Sequence, residues 1–530
     1  MKRLEVAVLL FAFFITLQLF PVETTEETGP SWYRDAVVYE AFARSFYDTD
    51  GNGIGDIKGL IAKLDYLNDG NPATDSDLEV TAIWLMPIFA SPSYHGYDVT
   101  DYYQINKDYG TMEDFETLLK EAHKRGIKII LDLVLNHTSN KHPDFLSAGK
   151  GPESPKRDWY VWKKEMPQDW GQPWSPHSRS NSVWHQAGDS YYYGIFYFGM
   201  PDLNYDNPEV KKEMKKIMKF WLGKGVDGFR LDAIRYLTEE GPKLGQQDVE
   251  STHAVMAEFY NEAKKVKKDC ILIGEIWADM DTVASYFKSV ISPAQVDSGF
   301  NFDLAGAIVD GVKNNSFARI NVTQEVTLET YPEGAIDSIF LTNHDMDRIA
   351  SVIGPDTGKL KLAASVLLTL PGVPYVYYGE EIGMMGKKPD EHIRRPMKWD
   401  KSQFAGFTNA PRPWIKPDMS NPGWNAADMQ KDKDSLLGTY KKMIRLRNRN
   451  IALRRGSYKS VNSGHAQVYA FLRSHPEQNL LVVHNFSAAT IESLTLPETI
   501  KPVKELLSNT PVTGTLLAPY ETKVFLLKGE

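Results

Sequence analysis

Residues 127–135 read IKIILDLVL. Apolar side chains occupy both alternating faces, the pattern of a strand buried from both sides in a parallel sheet. Just upstream, in 111–125, Phe115, Leu118, Leu119 and Ala122 recur at helical spacing. Thr111 with Asp114 makes a capping-box-like start, and Gly126 ends the pattern. A helix feeding a buried strand is one step of a β-α repeat, and the step recurs along the chain.

Further strand candidates are AVVYEAF (36–42), AIWLMPI (82–88), GFRLDA (228–233), ILIGEIW (271–277), SIFLTNHD (338–345) and PYVYYGEE (374–381). A weaker one, GFNFDLA, covers 299–305. Between them lie amphipathic helices. In 207–222, Asn207 caps, Pro208 takes the first turn, and Val210, Met214, Ile217, Met218 and Trp221 form the stripe. Eight strands in β-α alternation predict an α/β fold, the eight-stranded (β/α)8 barrel.

Two regions break the rhythm. Residues 138–206 are irregular and rich in Trp, Tyr, Pro and Gly, as expected of an inserted functional subdomain. Its rings, Trp159, Trp162, Trp170, Trp174, Trp184 and Tyr191–Tyr193, suit either sugar stacking beside a cleft or a small aromatic core. After 453, QVYAFLR, NLLVVHNF and TKVFLLK read as strands of an all-β tail domain. The expected layout is barrel 31–137, insertion 138–206, barrel 207–452 and tail domain 453–530.

The N-terminus has a basic MKR followed by an uncharged apolar run over 6–20. That run is short for a membrane span and suits a signal-peptide core, with an uncleaved anchor as the alternative. Residues 1–22 are therefore assigned to export and 23–30 to a polar linker, which implies a secreted protein, tethered to the cell surface if uncleaved. The sole cysteine, Cys270, excludes an intrachain disulfide. A net charge of -9 without a long basic run argues against nucleic acid as a partner.

Asp232, Glu275 and Asp345 fall at the C-terminal ends of different strand candidates, the end that carries the active site in an α/β barrel. His137, Arg230 and His344 accompany them. Retaining glycosidic cleavage needs such a set: one carboxylate to attack the anomeric carbon and another, with a raised pKa, to protonate the leaving oxygen. Arg230 lies two residues before Asp232 and so points to the same side of its strand, where it can pair with that acid and keep it ionised.

A separate stretch, DTDGNGIGD (48–56), spaces Asp48, Asp50, Asn52 and Asp56 as in the first part of an EF-hand loop, with Gly53 at the turn. Gly59 stands where an EF-hand has its bidentate Glu, which argues against a calcium sensor. The reading is a structural calcium site that adds the Ile54 carbonyl as a ligand.

With DLVLNH (132–137), MPDLN (200–204), GFRLDA (228–233), GEIW (274–277) and TNHD (342–345) in order, the chain resembles the α-amylase family, glycoside hydrolase family 13. The resemblance spans roughly 31–530 and implies a barrel, an inserted B domain and a C-terminal β-sandwich. It makes Asp232 the nucleophile, Glu275 the acid/base and Asp345 the transition-state stabiliser. His137, Arg230 and His344 would line the −1 subsite, with Tyr97 and Asp98 of YHGYD against the same sugar. Arg394, in IRRPMKWD, resembles an Arg that accompanies this Asp in the α-glucosidase branch; the alternative is a surface Arg.

Within the family, MPDLN resembles a group containing secreted bacterial α-amylases, intermediate between oligo-1,6-glucosidases and neopullulanases. DTDGNGIGD, GYDVTDYY and RRPMKWD resemble the oligo-1,6-glucosidases. Ala233 after the nucleophile leans towards α-1,4 bonds. The implied substrates are starch, maltooligosaccharides and related α-glucans, with an exo-acting α-glucosidase or oligo-1,6-glucosidase as the alternative. A non-catalytic membrane-anchored homologue is the alternative of another class. Arg235-Tyr236 replaces the usual Lys-His, so the family's +1 contacts and the His contribution to its common calcium site do not carry over.

Overall fold

The computed structural model describes residues 31–175, 182–290, 292–512 and 514–528. The export segment, 1–22, and the linker, 23–30, lie outside the described residues. No helix among those described is long and apolar enough to cross a membrane.

Eight strands form the closed barrel: β1 (Val38–Ala41), β2 (Ala82–Leu85), β3 (Lys128–Val134), β4 (Gly228–Asp232), β5 (Ile271–Gly274), β6 (Ser298–Phe300), β7 (Ile336–Phe340) and β8 (Val373–Tyr377). Neighbours run parallel in the order β1-β8-β7-β6-β5-β4-β3-β2. All eight sequence candidates contribute a strand, with one correction. The 299–305 stretch is mostly helical: β6 ends at Phe300, Asn301 caps by accepting from the Leu304 amide at 2.9 Å, and a helix runs Phe302–Asn314. The barrel interior is filled by Trp84, Ile130, Ile273, Phe300, Phe340 and Tyr375.

The helix before β3 runs Met112–Lys124, with the Thr111–Asp114 capping box closed in both directions. The helix before β4 runs Pro208–Gly223 and is capped by Asn207. Its buried stripe is Val210, Met214, Ile217, Met218, Trp221 and Leu222, which lays one face on the barrel.

The 138–206 excursion carries a short helix, Pro143–Ala148, and a small antiparallel sheet of Trp162–Lys163, Ser190–Tyr193 and Trp184–Ala187. It is tied back to β3 where it leaves. The Leu203 amide donates to Asn136 O at 2.9 Å, and Tyr205 donates to Leu135 O at 2.6 Å. Trp184, Tyr192 and Tyr193 are buried, and Trp159, Trp162, Trp170 and Tyr191 pack partly buried against the core; Trp174 is half exposed.

The tail has β9 (Ser457–Val461), β10 (Val468–His475), β11 (Gln478–Asn485), β12 (Pro502–Glu505), β13 (Thr510–Pro511) and β14 (Thr522–Leu527). They form one antiparallel sheet in the order β9-β10-β11-β14-β12-β13. Strand alternation gives it two apolar faces. Tyr469, Phe471, Leu480, Val482 and Val524 join the large core shared with the barrel helices. Val468, Ala470, Leu481, Val483 and Phe525 pack under Ile491, Leu494, Leu496 and Leu517. The second layer expected of a sandwich is thus supplied by the connection between β11 and β14.

Beyond β8, Glu380 and Glu381 are buried side by side. Tyr440 donates to Glu380 at 2.7 Å, and Tyr39 and Tyr66 donate to Glu381 at 2.9 and 2.8 Å. Burial, with Glu381 as neighbour, pushes the Glu380 carboxyl up to about 8. The folded state therefore keeps a proton that the unfolded chain releases near pH 4.3, so stability falls as pH rises from there to about 8. Glu380→Gln should flatten this slope by up to about 1.4 kcal/mol per pH unit. Denaturant melts at pH 5, 6.5 and 8 read it; an unchanged slope in the variant would remove Glu380 as its source.

Candidate active site

The barrel register sets the acids level with one another. Gly274 of β5 pairs with Leu231 of β4, so Glu275 stands beside Asp232. Asp232 is the last residue of β4, Glu275 the first beyond β5, and Asp345 lies further out, in the loop after β7. Their side chains are 10%, 15% and 26% exposed respectively, so the trio lines a descent from the mouth to a buried floor.

Arg230 is the buried hub. Its Nη1 donates to Asp232 Oδ1 at 2.6 Å and Asp132 Oδ1 at 2.9 Å, while Nη2 lies 2.9 Å from Glu275 Oε2. It spans the rings of Trp84 and Tyr97, whose centroids are 5.3 and 5.8 Å from its Cζ. Just after Asp232, Ala233 takes a left-handed conformation at φ 52°, and its amide donates to Glu275 Oε2 at 2.9 Å. This small residue carries backbone strain where the chain leaves β4, and the strain aims a donor at the acid/base candidate.

The three acids differ electrostatically. Burial raises Glu275, with Arg230 opposing and Asp232 adding to the rise. Burial also raises Asp232, to about 6 against the pull of Arg230. Asp345 resists its own burial because His344 and Arg394 hold it well below the usual carboxylate range. The set thus contains two carboxyls, Glu275 and Asp232, that burial disposes towards holding a proton, and one, Asp345, that its cationic neighbours keep ionised.

His344 explains part of that split. Its Nδ1 is 2.5 Å from Glu40 and its Nε2 is 3.1 Å from Asp345. Burial works against its charge, but Asp345 and Glu40 raise it to about 10, so it is a cation at neutral pH. Tyr97 stacks on it at 5.7 Å and 15°, and the Tyr97 hydroxyl is 2.6 Å from Nε2. Asp98 is buried and accepts from Ser91 at 2.7 Å and from Ser93. His137 is buried at the end of β3; burial lowers it to about 3, so it is neutral. Its Nε2 has no protein partner among the described residues.

Arg394 is no surface residue. It is 3% exposed, donates from Nη2 to Asp345 at 2.7 Å and to Asp390 at 3.1 Å, and from Nε to His344 O at 2.9 Å. Arg235, by contrast, turns away from the trio. It forks onto Asp248 at 2.5 to 3.0 Å and donates to Trp277 O at 2.5 Å. Tyr236 meets Trp174 and Phe196 edge-on at 5.5 and 5.9 Å, and Phe196 meets His137 at 5.2 Å. Trp277, half exposed, stacks on Phe302 at 4.5 Å and 9°. Of the pair that replaces the family's Lys-His, Tyr236 thus joins an aromatic cluster and Arg235 is engaged by Asp248.

In the 48–56 loop, oxygens of Asp48, Asp50 and Asp56 lie within 4.8 Å of one another. Asp48 accepts from the Gly51 and Gly53 amides at 2.9 and 2.8 Å, and Asn52 Oδ1 accepts from the Ile54 amide at 2.7 Å. Asp56 also caps the helix Ile57–Ala62 through the Gly59 amide at 2.6 Å. The absent Glu has a packing reason: a Cβ on Gly59 would lie 1.9 Å from Tyr47 O. Among the described residues no basic side chain forms an ion pair with the three acids. Three converging carboxylates with no counter-charge fit a hard divalent cation.

Two buried acids of the candidate site escape the sequence reading, Asp132 and Glu40. Both are acids inside otherwise apolar strand runs, and that was their signal, since a buried charge needs a partner. Asp132 supports Arg230 and accepts from Tyr97 at 3.2 Å; Glu40 supports His344.

Comparison with known proteins agrees with this geometry. A model of the alpha amylase catalytic domain matches residues 40–456, and one of the alpha-amylase SusG C-terminal domain matches 468–522. Alpha-amylase 3 of Dictyoglomus thermophilum is 42% identical over 464 residues, covering 86% of this chain and 85% of its own. Oligo-1,6-glucosidase of Parageobacillus thermoglucosidasius is 32% identical, covering 94% and 99%. The crystal structure of an alpha-amylase from H. orenii superposes with a TM-score of 0.79 at 41% identity, covering 93% of this chain and 99% of that one. With the acids at the strand ends of its barrel, the chain belongs to the α-amylase family, glycoside hydrolase family 13, the α-glucan hydrolases.

Proposed function

We propose that the protein is a retaining α-amylase that cleaves α-1,4 bonds of starch and maltooligosaccharides. The observation that carries this reading is the Arg230 hub, which gathers Asp232 and Glu275 side by side, next to the Arg394-held Asp345. Asp232 attacks the anomeric carbon while Glu275 gives its proton to the glycosidic oxygen, and the bond to the leaving sugar breaks. Glu275, now ionised, takes a proton from water. That water displaces Asp232 from the glycosyl ester and configuration is retained. Asp345, Arg394 and cationic His344 hold the −1 sugar with Tyr97 and Asp98, and neutral His137 offers Nε2 to a hydroxyl.

Ala233 and the export-like N-terminus support α-1,4 specificity and a polymeric substrate outside the cell. A second reading, an exo-acting α-glucosidase or oligo-1,6-glucosidase, is favoured by the Arg394–Asp345 pair, the feature that resembles the α-glucosidase branch. Product analysis on soluble starch, maltotriose, isomaltose and pullulan separates the two. The amylase reading expects a spread of maltooligosaccharides from starch and little turnover of isomaltose. Glucose alone, released from chain ends, would replace it with the second.

We further propose that Asp48, Asp50, Asn52, Asp56 and the Ile54 carbonyl hold a structural calcium ion. Chelator should lower Tm by roughly 3 °C, as expected for losing an ion present at about a hundred times its Kd in a chain of this length. Asp48→Ala should show the lower Tm with or without chelator. A wild-type melt indifferent to chelator would make the loop a polar turn.

A further inference from the structure

Residues 403–414 form a strap over the first β→α loop. Phe404 and Ala405 turn it through left-handed conformations, φ 52° and 58°. The 48–56 loop then clasps it at two points. The Asp48 amide donates to Phe407 O at 3.0 Å and Thr408 donates to Asp48 Oδ2. Further along, the Trp414 amide donates to Gly53 O at 2.8 Å. The fit is close: Gly53 has φ +91°, and a Cβ there would lie 2.3 Å from Arg412 O.

The strap ends on Trp414, which reaches Arg394 by two routes. Its ring stacks on Tyr94 at 5.4 Å and 22°, and Arg394 lies over the Tyr94 ring at 5.9 Å. Its Nε1 donates to Ser45 Oγ at 3.2 Å, and Ser45 Oγ donates to Arg394 O at 2.5 Å. Phe42 and Arg44 close around the indole at 6.2 and 5.7 Å. Arg394 therefore has both its side chain and its carbonyl braced through Trp414, and it passes that placement to Asp345.

We propose that Trp414 is a positioning residue for the Arg394–Asp345 pair, and that the 48–56 loop acts on catalysis through the strap. Among the described residues Trp414 contacts Phe42, Arg44, Ser45, Gly53 and Tyr94 and none of the three acids; it acts through the guanidinium that holds Asp345. The dependence on the ion rests on the calcium reading above, whereas the mechanical link from Asp48 and Thr408 to Trp414 does not. A ring that holds a transition-state contact changes kcat more than KM.

The test is a cycle between the two ends of the strap, with maltotriose as substrate. Trp414→Ala should lower kcat about 10-fold with KM within about twofold, and Trp414→Phe, which keeps a stacked ring, should stay within about twofold of wild type. Thr408→Val, which removes one clasp, should lower kcat to a lesser degree. Because both changes act through one path, the double variant should be no slower than Trp414→Ala alone. Losses that multiply, or a Trp414→Ala enzyme as fast as wild type, would overturn the proposal.

A chelator arm separates this from the calcium reading. Below the melting range, chelator should lower wild-type kcat and leave Trp414→Ala kcat unchanged, while both proteins lose Tm. If Tm falls but the two enzymes slow by the same factor, the coupling is overturned and the calcium site stands. If neither Tm nor kcat responds to chelator, the calcium reading fails, and the Thr408–Trp414 cycle still decides the strap.

Discussion

Asp232→Asn will lower kcat on maltooligosaccharides by roughly 10⁴- to 10⁶-fold, the scale of losing the nucleophile in a covalent mechanism. The amide fills the same volume and still accepts from Arg230, whose other partners, Asp132 and Glu275, remain in place. Stability should therefore change little, and a melt within a few degrees of wild type assigns the loss to chemistry. Glu275→Gln provides the complementary result. With a substrate whose leaving group needs no proton, attack by Asp232 still proceeds, but water is not activated to release the ester. Mass spectrometry should then find the protein heavier by one glycosyl unit, with the modification on the peptide holding Asp232. Full activity in Asp232→Asn, or an adduct on another acid, would sink the assignment of the nucleophile.

Arg230→Met will be among the most destabilising single changes in the barrel, at roughly 3–5 kcal/mol. Arg230 is 1% exposed and ion-pairs with Asp132, Asp232 and Glu275. Methionine fills much of its space but strands three buried carboxyls without a cation. They will take up protons instead, so their folded pKa values rise above the unfolded ones. Stability contributed by a proton held only in the folded state is lost as pH rises, so the deficit against wild type should widen from pH 5 to pH 8. Activity should be lost at both values, since Asp232 must be ionised to attack. Arg230→Lys restores a charge without the planar fork and should recover part of the stability and little of the rate. Denaturant titrations at the two pH values check the claim; a Met variant within about 1 kcal/mol of wild type would show that other groups carry the charge balance.

Much of this protein was legible residue by residue. The β-α alternation, the Thr111 and Asn207 caps and all eight barrel strands follow from periods of 2 and 3.6 and from local capping chemistry, which act over a few residues. The excess reading, a strand through 299–305, failed because Asn301 is a helix cap as well as a polar interruption, and a short apolar run does not distinguish the two. The three candidate acids were legible because each sits at or beyond the end of a recognisable strand.

The counter-charges were less legible. Glu40 meets His344 across 304 residues and Asp132 meets Arg230 across 98. Their positions in apolar runs announced that each needed a partner but not which one. Arg394 had two readings, surface or subsite; it is buried, bonded to Asp345 and His344 O, which removes the surface reading. Arg235 went the other way, drawn off by Asp248 into an ion pair that motif spacing could not foresee.

By itself, then, the sequence determined the barrel and its family, and it pointed to three candidate acids, since those depend on short-range pattern and on residue type at strand ends. Only the tertiary structure decided which charges balance which, how the 48–56 loop clasps the strap that ends at Trp414, and how each acid is tuned. Those properties depend on distances between residues remote in the chain, and on burial that exists only once the barrel has closed.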